Sequence, residues 1–205
     1  MADYLDNTIQ IIVLALCISA TVYRALKYRS RSWTMLSFFY ACWALGDVYW
    51  LVCLLIYGVS PQISVVADLS WYASYIFLYL LLRYIFPPED IGNRSAVPWL
   101  GPVFAVGMAC FYMRWGEILN NLIYAGLMGL LLYSSARRLT EPGRSGADRS
   151  LPAAVLIFCL LEYGLWTSSC FMSGDTLLHP YYLFDFLLTV SFTFFVPALR
   201  KAVIA

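Results

Sequence analysis

The stretch Phe38 to Tyr57, FFYACWALGDVYWLVCLLIY, decides the fold. It is long enough to cross a bilayer as a helix, and it carries one carboxylate, Asp47, at its middle. An acid at that depth costs about 2.5–3.5 kcal/mol on insertion scales, so a chain that keeps one turns it toward other helices or a wet cavity. Tyr40, Trp43, Asp47, Trp50, Leu54 and Tyr57 recur at helical steps and share one face. A second stretch has the same character: LIFCLLEYGLWTSSCFMS, Leu156 to Ser173, places Glu162 mid-segment with Trp166 one turn on.

The composition fits this reading throughout. Hydrophobic residues make up 62% and charged residues 12%, with a mean hydropathy of +0.74. A soluble domain has roughly 45–50% apolar and about 25% charged residues, so the chain is expected to be an integral membrane protein whose first partner is the lipid bilayer. Its first apolar run lacks a basic leading region and a small-residue cleavage pattern, and is expected to stay in the mature chain. The basic residues cluster at segment ends instead of forming a patch with interleaved aromatics, which argues against nucleic-acid binding. All six cysteines fall inside apolar runs without a CxxC pair and read as small packing residues. A single His179 cannot build a histidine metal site, so no metal and no cofactor are expected.

Seven apolar runs approach the length of a membrane span, at about 8–26, 34–57, 64–86, 97–113, 117–136, 151–173 and 181–200. They predict an all-α, polytopic protein with seven transmembrane helices in one membrane domain, residues 1–205. Pro87, Pro88 and Gly92 break the chain after the third run, and Glu141 to Gly146 does so after the fifth. With the amino terminus outside, twelve of the thirteen Lys and Arg residues fall on the cytoplasmic side, and only Arg114 stays outside. The carboxyl terminus is then cytoplasmic, and the plasma membrane is the expected location. A retinal protein is excluded because Lys27 and Lys201, the two lysines, both lie at the cytoplasmic side and not in the middle of the last helix.

An internal repeat is also readable. A shift of 116 maps Trp50 onto Trp166 and Gly58 onto Gly174, and a shift of 117 maps Asp68 onto Asp185, Leu82 onto Leu199 and Arg83 onto Arg200. A shift of 110 maps Tyr23 onto Tyr133. The expectation is two parallel three-helix repeats, 1–86 and 117–205, joined by a linker helix at 97–113 and related by an axis along the membrane normal. This layout resembles the SWEET sugar transporters, their PQ-loop relatives and the nicotinamide riboside transporters, and implies small-solute transport. A local resemblance points elsewhere. Leu45-Gly46-Asp47, and Ala67-Asp68 followed by Tyr75, are similar to the YhhN-type lysoplasmalogenases, which implies an intramembrane lipid hydrolase in which such acids activate water.

The candidate site follows from the polar residues in the apolar runs. Asp47 and Glu162 stand at nearly equivalent repeat positions and are the candidates for cation recognition, proton coupling or, in an enzyme, catalysis. Trp43, Trp50 and Trp166 are expected to wall a central cavity. Asp68 and Asp185 open the third and seventh helices, where they either cap a helix dipole or attract solute at the outer mouth. Tyr72, Tyr75 and Tyr79 continue from Asp68 along one face, and aromatic rings beside acids suit a cationic or aromatic small molecule. The expected function is a small-solute transporter or membrane ligand-binding protein. A lipid hydrolase and a sensory or partner-binding module are the alternatives.

Overall fold

The computed structural model describes residues 2–59, 61, 64–87, 95–142, 146–171 and 179–204, and among these the chain is all helical, with no strand. The helices are α1 (Ala2–Tyr28), α2 (Arg31–Tyr57), α3 (Val65–Ile85), α4 (Leu100–Tyr112), α5 (Ile118–Leu139), α6 (Gly146–Ser169) and α7 (Pro180–Ile204), with a 3-10 turn at Val97–Trp99 leading into α4. Gln62, Pro88, Gly92, Arg94, Gly143, Arg144, Ser173 and Gly174, on which part of the sequence reading falls, lie outside the described residues.

Among the described residues, six helices are long and apolar enough to cross a membrane. The segment Val97–Tyr112 is shorter. At 2.0 Å rise per 3-10 residue and 1.5 Å per α residue it reaches roughly 25 Å, against about 30 Å of hydrocarbon. The fourth apolar run therefore forms a helix, but it is the short member of the set.

Three helix ends differ from expectation. α1 begins at Ala2, before its apolar run, with Asn7 Nδ2 donating back to the Asp3 carbonyl at 2.8 Å and Thr8 Oγ1 to the Tyr4 carbonyl at 2.6 Å. α6 begins at Gly146 and carries Pro152 inside it. α7 passes through Pro197 and runs on to Ile204, as membrane helices tolerate proline where neighbours cover the freed backbone. Between α2 and α3, Gly58 closes α2 in the left-handed region at φ +72°, its N–H bonded to the Leu54 carbonyl at 2.9 Å.

Each long helix packs on its sequence neighbour, α3 also packs on α5, and α1 packs on α7. The order around the bundle is thus α1, α2, α3, α5, α6, α7 and back to α1. α4 lies outside this ring against α5, with Phe104 and Tyr112 reaching Tyr163 of α6. Basic side chains mark one end of the bundle: Lys27 in the last turn of α1, Arg31 opening α2, Arg83 closing α3, Arg137 and Arg138 closing α5, and Lys201 in the last turn of α7.

The ring interior is aromatic. Phe39 and Tyr40 of α2, Tyr75 of α3, Phe158 of α6, and Phe192 and Phe195 of α7 are all fully buried. Phe39 stands 5.7 Å from Phe158, 6.0 Å from Phe192 and 5.3 Å from Phe195, centroid to centroid. Each such pair contributes about 0.5–1.5 kcal/mol beyond area burial, and in lipid this packing does the work that the hydrophobic effect does in water. Tyr40 ties the same cluster by donating its hydroxyl to the Phe192 carbonyl at 2.6 Å.

Candidate functional site

The two mid-helix acids are buried in the bundle, Asp47 at 2% exposure and Glu162 at 3%. Each has one oxygen held and one free. Trp71 Nε1 of α3 donates to Asp47 Oδ1 at 3.3 Å. Glu162 Oε1 receives the Tyr75 hydroxyl at 2.7 Å and Trp166 Nε1 at 3.1 Å. The second oxygens, Asp47 Oδ2 and Glu162 Oε2, are buried without a hydrogen-bond partner among the described residues. So are Trp43 Nε1 and the hydroxyls of Tyr124 and Tyr163. A buried polar atom left unpaired costs about 1–3 kcal/mol, and more when charged.

Asp47 and Glu162 belong to one aromatic neighbourhood. Rings connect them. Trp71, on Asp47, lies 6.3 Å from Trp43; Trp43 lies 5.7 Å from Tyr75; and Tyr75 holds Glu162. Beyond Glu162, Tyr124 stands 6.1 Å from Tyr75, 5.3 Å from Tyr163 and 5.3 Å from Trp166.

The tryptophans expected to wall a cavity divide. Trp43 is buried in the ring-on-ring core, 5.4 Å from Phe158 and 5.1 Å from Phe192, so packed aromatics take up the space at that level. Trp166 is half-buried and bonded to Glu162. Trp50 is half-buried and reaches the site through Trp71, at 6.0 Å. Tyr79 is half-buried and packs on the apolar core.

Asp68 and Asp185 tie helices together. Asn120 Nδ2 of α5 donates to Asp68 Oδ2 at 3.0 Å, and its Oδ1 accepts the Tyr72 hydroxyl at 2.7 Å. Ser64 Oγ donates to the same Asp68 oxygen at 2.6 Å. On the far side, Gln10 Nε2 of α1 donates to Asp185 Oδ1 and to Thr189 Oγ1, each at 3.1 Å. Tyr182 adds a bond to Asp3 Oδ1 at 2.5 Å. Both acids thus accept side-chain donors from another helix, which a dipole-capping role does not require.

Sequence reasoning passed over Trp71, Gln10, Tyr124 and Tyr163. Trp71 sits three residues after Asp68 and four before Tyr75, on the same helical progression. Gln10 sits 110 residues before Asn120, the shift that also relates Tyr23 to Tyr133. Among the described residues, no three His, Cys, Asp or Glu side chains group to hold a metal. No family model, curated protein or solved structure matches the chain, so the named side chains themselves carry the functional argument.

Proposed function

We propose that this is a membrane transporter or ligand-binding protein of two parallel helix triplets, which holds a small cationic, ring-bearing solute at Asp47 and Glu162. The single observation that carries the reading is the pair of buried carboxyl oxygens, one on each triplet's middle helix, left without a donor inside an aromatic surround. An ammonium group brings both the charge and the N–H donors these oxygens lack, and the rings of Tyr124, Tyr163 and Trp166 offer faces to a cation. The basic side chains of the bundle stand at a helix end, away from mid-membrane, and leave the acids uncompensated.

The neighbour order supports the triplets. A two-fold axis along the membrane normal exchanges α1 with α5, α2 with α6 and α3 with α7, and under it the α3–α5 contact becomes the α7–α1 contact; both occur. α4, outside the ring, takes the linker place. In the proposed orientation the basic end is cytoplasmic and the amino terminus outside.

The test uses purified full-length chain and a panel of aromatic and aliphatic primary amines. An amine that binds should raise the unfolding temperature of wild type with the logarithm of ligand concentration above its Kd, while Asp47→Asn and Glu162→Gln fold but lose the shift. Release of aldehyde from a lysoplasmalogen by wild type, lost in the same variants, would replace transport with hydrolysis. Neither response in wild type removes both readings and leaves a sensory or partner-binding module.

A further inference from the structure

Taking the two-triplet reading as its basis, we infer that Asn120 with Asp68 and Tyr72, and Gln10 with Asp185 and Thr189, are two copies of one latch that closes the amino-terminal end of the bundle over the mid-membrane acids. The triplets meet along two seams, α3 against α5 and α7 against α1. Each seam is tied by an amide on the first helix of one triplet. That amide bonds an acid and a hydroxyl, four residues apart, on the third helix of the other. The correspondence extends to every member. Gln10 plus 110 is Asn120, Asp68 plus 117 is Asp185, and Tyr72 plus 117 is Thr189. The shifts are those already needed to align α1 with α5 and α3 with α7. Tyr72 and Thr189 are different residues in the same place, and both keep a hydroxyl there.

The latches stand on the way to the site. On α3, Asp68, Tyr72 and Tyr75 form a ladder, with the Tyr72 and Tyr75 rings 6.4 Å apart, and its last rung holds Glu162. On α7 the matching ladder is Asp185, Thr189 and Phe192. Tyr75 and Phe192, again 117 apart, both pack on Trp43, at 5.7 and 5.1 Å. From Asp68 to Tyr75 is roughly 10 Å of helix, so a solute entering from this end must part the seam at the latch before it reaches the acids. At the other end of the α3–α5 seam the tie is different: the Arg138 guanidinium lies over the Phe86 ring at 4.4 Å. A cation on a ring face slides more readily than an amide with both of its ends bonded. Hydrogen bonds at one end and a sliding contact at the other let the triplets rock about the basic end.

Because the latches belong to one rigid-body opening, loosening either should expose both acids. The assay is labelling of the wild-type chain in lipid nanodiscs with a water-soluble carbodiimide and glycine ethyl ester, located by mass spectrometry. Asn120→Leu and Gln10→Leu should each raise labelling of Asp47 and of Glu162 about fivefold, and the double variant about twenty-five-fold, since ties on one opening equilibrium multiply. Glu141, at the opposite end and bonded to Arg138 at 2.6 Å, should not change. If the leucine variants do not fold, Asn120→Asp and Gln10→Glu set carboxylate against carboxylate with little change of shape and should give the same ordering. The latch is overturned if Gln10→Leu exposes neither Asp47 nor Glu162, if the double variant equals a single one, or if Glu141 rises in step. Amine binding by wild type with unchanged labelling in the double variant removes the latch and keeps the solute site; the reverse pattern keeps the latch and removes the solute.

Discussion

Replacing Gly46 by alanine should destabilise the protein, although alanine is the better helix former. A Cβ at Gly46 would stand 2.5 Å from Trp71 Nε1, 2.9 Å from its Cδ1 and 3.0 Å from its Cε2. Ordinary contact lies near 3.5–4.0 Å, so the indole must retreat by about 1 Å. That movement breaks the 3.3 Å bond from Trp71 to Asp47 and disturbs the tilted ring contacts of Trp71 with Trp43 and Trp50. Overpacking costs about 1–3 kcal/mol, and leaving Asp47 Oδ1 unpaired as well as Oδ2 costs about 1–3 kcal/mol more. Helix propensity returns about 1 kcal/mol. The net is a loss of roughly 1–5 kcal/mol, measured by reversible denaturant unfolding in mixed micelles followed by tryptophan fluorescence. Trp71→Phe opens the space that the methyl needs, so Gly46→Ala should cost little in that background and the pair should be strongly non-additive. A Gly46→Ala protein as stable as wild type or more so, or costs that simply add, would refute the account of how Asp47 is held.

The Glu162 oxygen is held twice, and its donors can be removed separately: Tyr75→Phe should cost about 1–3 kcal/mol, Trp166→Phe less at its longer 3.1 Å bond, and the double variant more than their sum, because only then is Oε1 bare. Additive costs in the same unfolding assay would show that the two donors do not share one oxygen. Reporter fusions after Gly58, Gly92, Gly116, Gly143, Gly174 and Ala205 should read outside, inside, outside, inside, outside and inside. The Gly116 fusion bears on α4, since its outside signal requires the short helix to cross, and an inside signal at Gly58 would invert the whole orientation.

Much of the architecture was readable because a membrane makes the rules strict. Apolar length found all seven helices, and the acids stood out because each is a polar group in a run that excludes polar groups. Where hydropathy was the only guide it misplaced ends: α1 starts at Ala2, ahead of its apolar run, and α7 continues through Pro197 to Ile204. The partners of the acids were less legible. Trp71 looks like any aromatic residue until Gly46 of another helix makes room for it. Trp43 shares the acid's stripe, yet it serves the packed core, since stripes report a face and not what meets it. Gln10 was overlooked in the first run, although the shift of 110 that pairs it with Asn120 was already in use for Tyr23 and Tyr133.

The ring also imposes an order on biogenesis. Gln10 and Asp185 are 175 residues apart, so the α1–α7 seam cannot form until α7 has left the ribosome. Until then the Gln10 amide, buried in the finished bundle, faces lipid or a helper protein without its acid. At about 5–20 residues per second that exposure lasts on the order of ten seconds or more. The first helix to be inserted is therefore among the last to be satisfied. Quality control of this protein comes down to whether its beginning and its end find each other.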